Sequence, residues 1–179
     1  MATLVLTAAM AGVILAVAGG GEPAARLLTR LTARLSALLV LAVFLAYSRL
    51  DLPAWLQANR AALLLALTAS HTGHLAAIVW LDAVSPERPL RQAGAVAIVG
   101  GGLAYAMLAA LALAALRDRS LGRWGSFSMY YIYLIFLTSY AGRVLQLHDW
   151  WFAPLAAALA AGLVLRAYGA VRHVVEWKR

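Results

Sequence analysis

The chain has 179 residues, of which 64% are hydrophobic and only 12% are charged. Soluble globular domains are roughly half apolar and about a quarter charged, so this composition indicates a membrane protein. The formal charge of +8 comes from basic residues that stand mostly at the ends of apolar runs, a membrane pattern that gives no reason to expect a nucleic-acid partner. Cysteine is absent, which excludes disulfides, thiolate metal sites and cysteine-ligated iron–sulfur clusters.

Apolar runs of membrane-spanning length recur along the chain. A helix needs roughly 20 apolar residues to cross a hydrocarbon core about 30 Å thick. Six runs approach this length, so we predict a single all-α domain, residues 1–179, built as a bundle of about six transmembrane helices in a lipid bilayer. The first run lacks a preceding basic segment, which favours a retained span over a cleaved signal peptide. The predicted spans are 2–19, 31–48, 60–82, 92–116, 126–146 and 152–174.

The distribution of basic residues predicts an orientation. With six spans, nine basic residues fall at the end of the bundle that holds both termini, and six fall at the other end. Because positively charged loops stay in the cytoplasm, we predict cytoplasmic termini in a bacterial-type inner membrane. The first loop alone favours the opposite orientation, since it contains three arginines and none precedes it.

Two histidines stand in the middle of the third predicted span, within LTASHTGHLAAIVWL. His71 is near the centre of the span, and His74 follows one turn later on the same face. Ionisable groups at membrane depth are costly and usually functional. Neutral imidazoles here fit haem ligation, a divalent metal bound by His71 and His74 together, or proton or quinone chemistry; a purely structural pair is the fourth alternative.

The spacing of this pair limits what it can bind. Positions i and i+3 project from one side of a helix, so His71 and His74 cannot be the two opposed ligands of one haem iron. His148 and His173 fall near opposite ends of the bundle, away from the pair. Asp82 lies about 12 Å along the helix axis from His74. The sequence therefore supplies donors without a complete coordination shell.

The segments RAALLLALTASHTGHLAAIVWL and LGRWGSFSMYYIYLIFLTSYAGRVL resemble the ferric-reductase-like transmembrane domain family. The resemblance implies a six-helix bundle that binds b-type haem through His71 or His74. The family usually carries two further histidines on the fifth span, where this chain has Ser128 and Ala141. With those ligands missing, haem is bound from one side only, shared across a subunit interface, or lost.

Other residues of these spans are candidates for contact with a cofactor. Tyr140 is expected either to pack in the interior or to hydrogen-bond His71 or a bound group. Arg143 and Arg166 are expected either to extend toward the membrane surface or to hold haem propionates or an anionic lipid. A ridge of small residues in the fourth span serves either helix packing or clearance for a flat cofactor. It comprises Gly94, Ala97, Gly101 and Ala104.

Three functions follow from these observations. The first is a membrane protein of the b-type cytochrome kind that relays electrons to or from a redox partner, because no flavin or nucleotide motif is present. The second is a non-enzymatic accessory or assembly subunit of a larger membrane complex, with a degenerate cofactor site or no cofactor. The third is a metal-dependent protein built on His71 and His74.

Overall fold

The computed structural model describes residue 12 and residues 19–48, 50–87, 89–92, 94–117, 119 and 122–177. These residues form helices and connecting turns without any strand, which confirms the all-α bundle. The helices are α1 Gly21–Ala46, α2 Ala54–Ala58, α3 Arg60–Val84, α4 Pro89–Gln92, α5 Ala95–Leu116, α6 Gly122–Leu147 and α7 Ala153–Trp177, with a 3₁₀ turn at Trp150–Phe152.

Four stretches of helix are long and apolar enough to cross a bilayer within the described part of the chain. They are Gly21–Ala46, Arg60–Val84, Ala97–Leu116 and Trp150–Arg172, and they correspond to the second, third, fourth and sixth predicted spans. The first predicted span, 2–19, lies almost entirely outside the described residues. The fifth forms α6, which is as long as the others but does not join this apolar set.

One face of α6 is buried in the bundle, and that face carries part of its polar composition. It packs against α1, α5 and α7 and buries residues along its length. Serine and tyrosine side chains lower its hydropathy, yet neighbouring helices cover the face that carries Ser128, Tyr133 and Tyr140. Polar side chains are tolerated at membrane depth where they face protein. A criterion based on mean hydropathy therefore leaves α6 out of the membrane-spanning helices, although neighbouring helices cover its buried polar side chains.

The helix α1 begins earlier than the sequence pattern predicts. The pattern places its start at residue 31 and treats GGGEPAAR as a boundary, whereas the helix begins at Gly21. Three successive glycines with positive φ mark the break before it. Arg26 is accommodated within the helix because its guanidinium pairs with the carboxylates of Glu22, at 2.5 Å, and Glu87, at 2.8 Å. The pairing of Arg26 with two carboxylates allows this part of the segment to continue the helix.

Hydrogen bonds between helices fix the packing of α1 against α3. The Ser36 and Ser70 hydroxyls are 3.0 Å apart, and the Thr32 hydroxyl lies 3.1 Å from Nδ1 of His74. Residue numbers in these pairs increase along α1 and decrease along α3, so the two helices are antiparallel. Lipid gives little hydrophobic drive to associate helices, and such bonds contribute about 0.6 kcal/mol each alongside close packing.

The helix α7 is held against α6 and α1 by two buried polar side chains. Tyr133 is fully buried and donates to the carbonyl oxygen of Leu159 at 2.6 Å. Arg166 donates to the carbonyl oxygen of Phe44, and its guanidinium lies over the Phe44 ring. Arg166 is therefore a packing residue between helices, and its expected reach toward the membrane surface stays a prediction. The helix continues for three further turns to Trp177, which places Arg166 in its interior.

Candidate cofactor site

A cavity of about 210 Å³ lies between α1, α3, α5 and α6. The four residues that the sequence singled out for cofactor binding, which are distant in the chain, all line it. They are His71, His74, Tyr140 and Arg143. Gly101 and Ala104 of the small-residue ridge line the cavity as well, and a Cβ at Gly101 would meet no atom within 4 Å. This part of the ridge leaves room beside the histidines.

The contact between Thr32 and His74 favours one tautomer of the imidazole. The Thr32 hydroxyl has one proton, and its nearest acceptor is the carbonyl oxygen of Leu28 at 2.7 Å. The hydroxyl oxygen therefore accepts from Nδ1–H of His74, at 3.1 Å. With the proton on Nδ1, the lone pair is on Nε2. Hydrogen bonding of the nitrogen away from the metal is the usual arrangement for a histidine ligand.

His71 is held by aromatic rings. Its imidazole stacks on Tyr105, with ring centroids 4.4 Å apart, and lies 5.0 Å from the ring of Phe136. The Tyr105 hydroxyl donates to the backbone carbonyl of His71 at 2.8 Å. The Nδ1 atom of His71 is buried and has no hydrogen-bond partner among the described residues. An unsatisfied buried polar atom is costly and calls for a ligand or a water molecule.

The wall opposite the histidines is formed by α6. It presents Phe136, Ser139, Tyr140 and Arg143 to the cavity. The Tyr140 hydroxyl is the second buried polar atom without a hydrogen-bond partner among the described residues. Ser128, at the position where the resemblance predicts a histidine, is buried in α6 but does not line this cavity. Tyr140 is thus the strongest potential ligand on this wall.

Two arginines give the cavity a positive potential. Arg30 comes from α1 and Arg143 from α6, and within the described part of the chain no acidic residue lines the cavity. The Arg143 guanidinium lies 4.9 Å from the ring centroid of Phe152 in the 3₁₀ turn, a cation–π contact that orients it. The site therefore combines neutral nitrogen and oxygen donors with fixed positive charge, which suits a ligand that carries anionic groups.

The cavity volume limits the size of an enclosed ligand. A cavity of about 150 Å³ accepts one benzene ring. A volume of about 210 Å³ thus encloses one substituted ring, not the four pyrroles of a porphyrin. The donor set suits haem iron, whereas full enclosure of haem requires α3 and α6 to lie further apart than they do in this structure.

A divalent metal site is less well supplied with ligands. The ring centroids of His71 and His74 are 5.6 Å apart. Within the described residues, no group of three or more histidine, cysteine, aspartate or glutamate side chains comes together. Asp82 accepts a hydrogen bond from the backbone N–H of Leu90, at the start of α4. A metal bound by the two histidines would have to complete its coordination shell with other donors.

Sequence reasoning did not identify every residue of the site. Thr32, Arg30 and Tyr105 reach the histidines from other helices, and Phe152 closes the cavity from the 3₁₀ turn. A threonine in a helix usually bonds to its own backbone, so nothing in the sequence pattern indicates the contact with His74. Arg30 was hidden because the pattern places it in a loop.

Comparison of the chain with family models, with curated proteins and with solved structures finds no match. The resemblance to the ferric-reductase-like domain therefore stays a prediction from the residues. The functional argument depends instead on the cavity and on the side chains that line it.

Proposed function

We propose that this chain is an integral membrane protein that binds a redox cofactor, haem b in the first instance, beside His74 and relays electrons to or from a membrane partner. The supporting observation is the convergence of His71, His74, Tyr140 and Arg143 on one cavity with two unsatisfied buried polar atoms. A structural histidine pair would be expected to have its hydrogen bonds satisfied within the protein.

The residues that would hold haem have distinct roles. His74 would bind the haem iron, because the contact with Thr32 favours a proton on Nδ1 and leaves the Nε2 lone pair as a donor. Arg30 and Arg143 would pair with the propionates. Tyr140 would contribute an oxygen ligand or a hydrogen-bond donor from α6. Bound haem would supply the one-electron chemistry.

An accessory subunit with a degenerate site is the second candidate. Two observations favour it: the cavity encloses only a single ring, and the opposite wall presents Ser139 and Tyr140 but no histidine. In this case the protein purifies without colour and in fixed stoichiometry with other membrane subunits. An absorption spectrum of the purified protein separates the two candidates, since only a haem protein has a Soret band.

The proposed location is a bacterial-type inner membrane with both termini in the cytoplasm. The chain has no cysteine, so single introduced cysteines report the orientation without background. We expect Gln57→Cys, before α3, to be protected from a membrane-impermeant maleimide in intact cells. Gln146→Cys, at the far end of α6, should be labelled. The reverse labelling pattern would place the termini outside, and permeabilised cells provide the control because both cysteines should then react.

A further inference from the structure

A second cavity, of about 420 Å³, lies at the other end of the bundle from the histidines. Helix α1 ends beside it, α3 and α6 begin beside it, and α5 ends beside it. Exposed tryptophans stand at this end, Trp55 in α2 and Trp124 in the first turn of α6. Indole side chains favour the boundary between lipid and water. This cavity is therefore at the level of the lipid headgroups.

Three arginines line this second cavity, and among the residues that the structure describes no aspartate or glutamate lines it. They are Arg60 at the start of α3, Arg119 after α5 and Arg166 in α7. The salt bridges among the described residues involve none of the three. Like charges that converge without a carboxylate repel one another, so an anion bound between them would be stabilised by all three.

Arg166 makes this cavity more than a patch of surface charge. The residue is only 9% exposed, and its guanidinium lies 4.2 Å from the ring centroid of Phe44 and 4.7 Å from that of Tyr130, two rings that themselves pack edge to face. A guanidinium has five N–H donors, more than its bond to the Phe44 carbonyl uses. Aromatic stacking and this bond fix the plane of the donors in advance, which reduces the entropy lost on binding a ligand.

Neutral donors complete the lining. The Ser126 side chain and the first turn of α6 at Gly122 and Gly125 border the cavity, so the positive end of a 26-residue helix is directed toward it. Tyr47 lies under Arg60, whose guanidinium is 5.5 Å from the ring centroid. Burial raises the pKa of Tyr47, although Arg60 acts in the opposite direction, so the phenol remains a hydrogen-bond donor at neutral pH.

We propose that this second cavity binds a phosphate group, either the headgroup phosphate of an anionic phospholipid or free inorganic phosphate. Arginine pairs bidentately with phosphate, and a serine hydroxyl and a helix N-terminus are further common phosphate ligands. The volume is twice that of the histidine cavity and leaves room for a headgroup. The site is independent of haem binding and makes no use of His71 or His74.

Lipid binding to the delipidated, detergent-purified protein tests this proposal. Native mass spectrometry would compare phosphatidylglycerol with phosphatidylcholine of the same acyl chains, for the wild type and for the double variant Arg60→Gln/Arg119→Gln. We expect the wild type to prefer phosphatidylglycerol and the double variant to lose at least about tenfold in that affinity, since two charge-assisted contacts are removed. Arg123→Gln is the matched control, because Arg123 is exposed in the first turn of α6, next to the cavity, but does not line it. The affinity of this variant for phosphatidylglycerol should change by less than about twofold.

The source of the phosphate is resolved in a second arm. Inorganic phosphate that raises the melting temperature of the wild type, but not of the double variant, would identify free phosphate as a ligand of the same cavity. Equal phosphatidylglycerol binding by wild type and double variant, together with no difference between them in stabilisation by inorganic phosphate, would overturn the proposal. If the double variant does not fold, as judged by size-exclusion chromatography, Arg119→Gln alone provides the comparison, because Arg119 is exposed and lies outside the helices.

Discussion

Replacing Gly162 with alanine is expected to destabilise the bundle by about 2–4 kcal/mol, the sum of an overpacked core and a weakened buried hydrogen bond. A Cβ at Gly162 would collide with the Tyr133 hydroxyl and would lie 2.5 Å from Cδ1 of Leu41. Leu41 can rotate away, but Tyr133 is fully buried and bonded to the Leu159 carbonyl. Thermal unfolding in detergent measures the loss.

Two further variants isolate the cause of this loss. Gly102→Ala is the control, because a Cβ there meets no atom within 4 Å, and its effect should be near zero or slightly stabilising. Adding Tyr133→Phe to Gly162→Ala removes the colliding oxygen and should restore part of the stability. A Gly162→Ala protein as stable as the Gly102→Ala protein would show that α6 and α7 do not pack as described.

Replacing His74 with alanine is expected to reduce the haem content of the purified protein by more than tenfold, since it removes an imidazole that a hydroxyl of a neighbouring helix orients for ligation. The ratio of Soret to protein absorbance measures this content. His71→Ala should retain haem, because its ring is stacked on Tyr105 and its role is to line the cavity. The opposite result, with haem lost from His71→Ala and kept in His74→Ala, would contradict the assignment of the ligand.

Thr32→Val provides a graded test of the same contact. It keeps the size of the side chain but removes the hydroxyl that accepts from Nδ1 of His74. Removal of such a supporting partner typically costs 10-fold to 100-fold in metal affinity. Haem should therefore bind more weakly in Thr32→Val without a comparable loss of folded protein. Unchanged affinity would mean that the bond does not position a ligand.

The helices of this protein could largely be predicted from its apolar runs, but the start of α1 could not. Arg26 looks like a loop residue because an unpaired charge is costly in a membrane. Its partner Glu87 is distant in sequence, beyond the end of α3, and only the folded chain brings the two together. A similar limit applies to Arg166, whose partner is a backbone carbonyl of Phe44 that no side-chain pattern reveals.

The residues of the candidate site could be predicted from the sequence where their position within a membrane span was enough to identify them. His71 and His74 stand out because imidazoles are rare in the middle of a span, and Tyr140 and Arg143 follow from the pattern of the fifth span. The contacts of Thr32 and Tyr105 depend on how α1 and α5 are rotated about their axes, which composition does not determine. The cavity volume depends on the same rotations, so the size limit on the ligand emerges only from the structure.

The absorption spectrum of the wild-type protein, purified from a haem-replete membrane, tests the proposed function most directly. The proposal predicts a Soret band with about one haem per chain and a spectral shift on reduction, since a single pair of cavity walls carries the ligands. A colourless protein that is folded and remains unable to bind added haem would contradict it. Fixed co-purification of that colourless protein with other membrane subunits would then assign it to the accessory role.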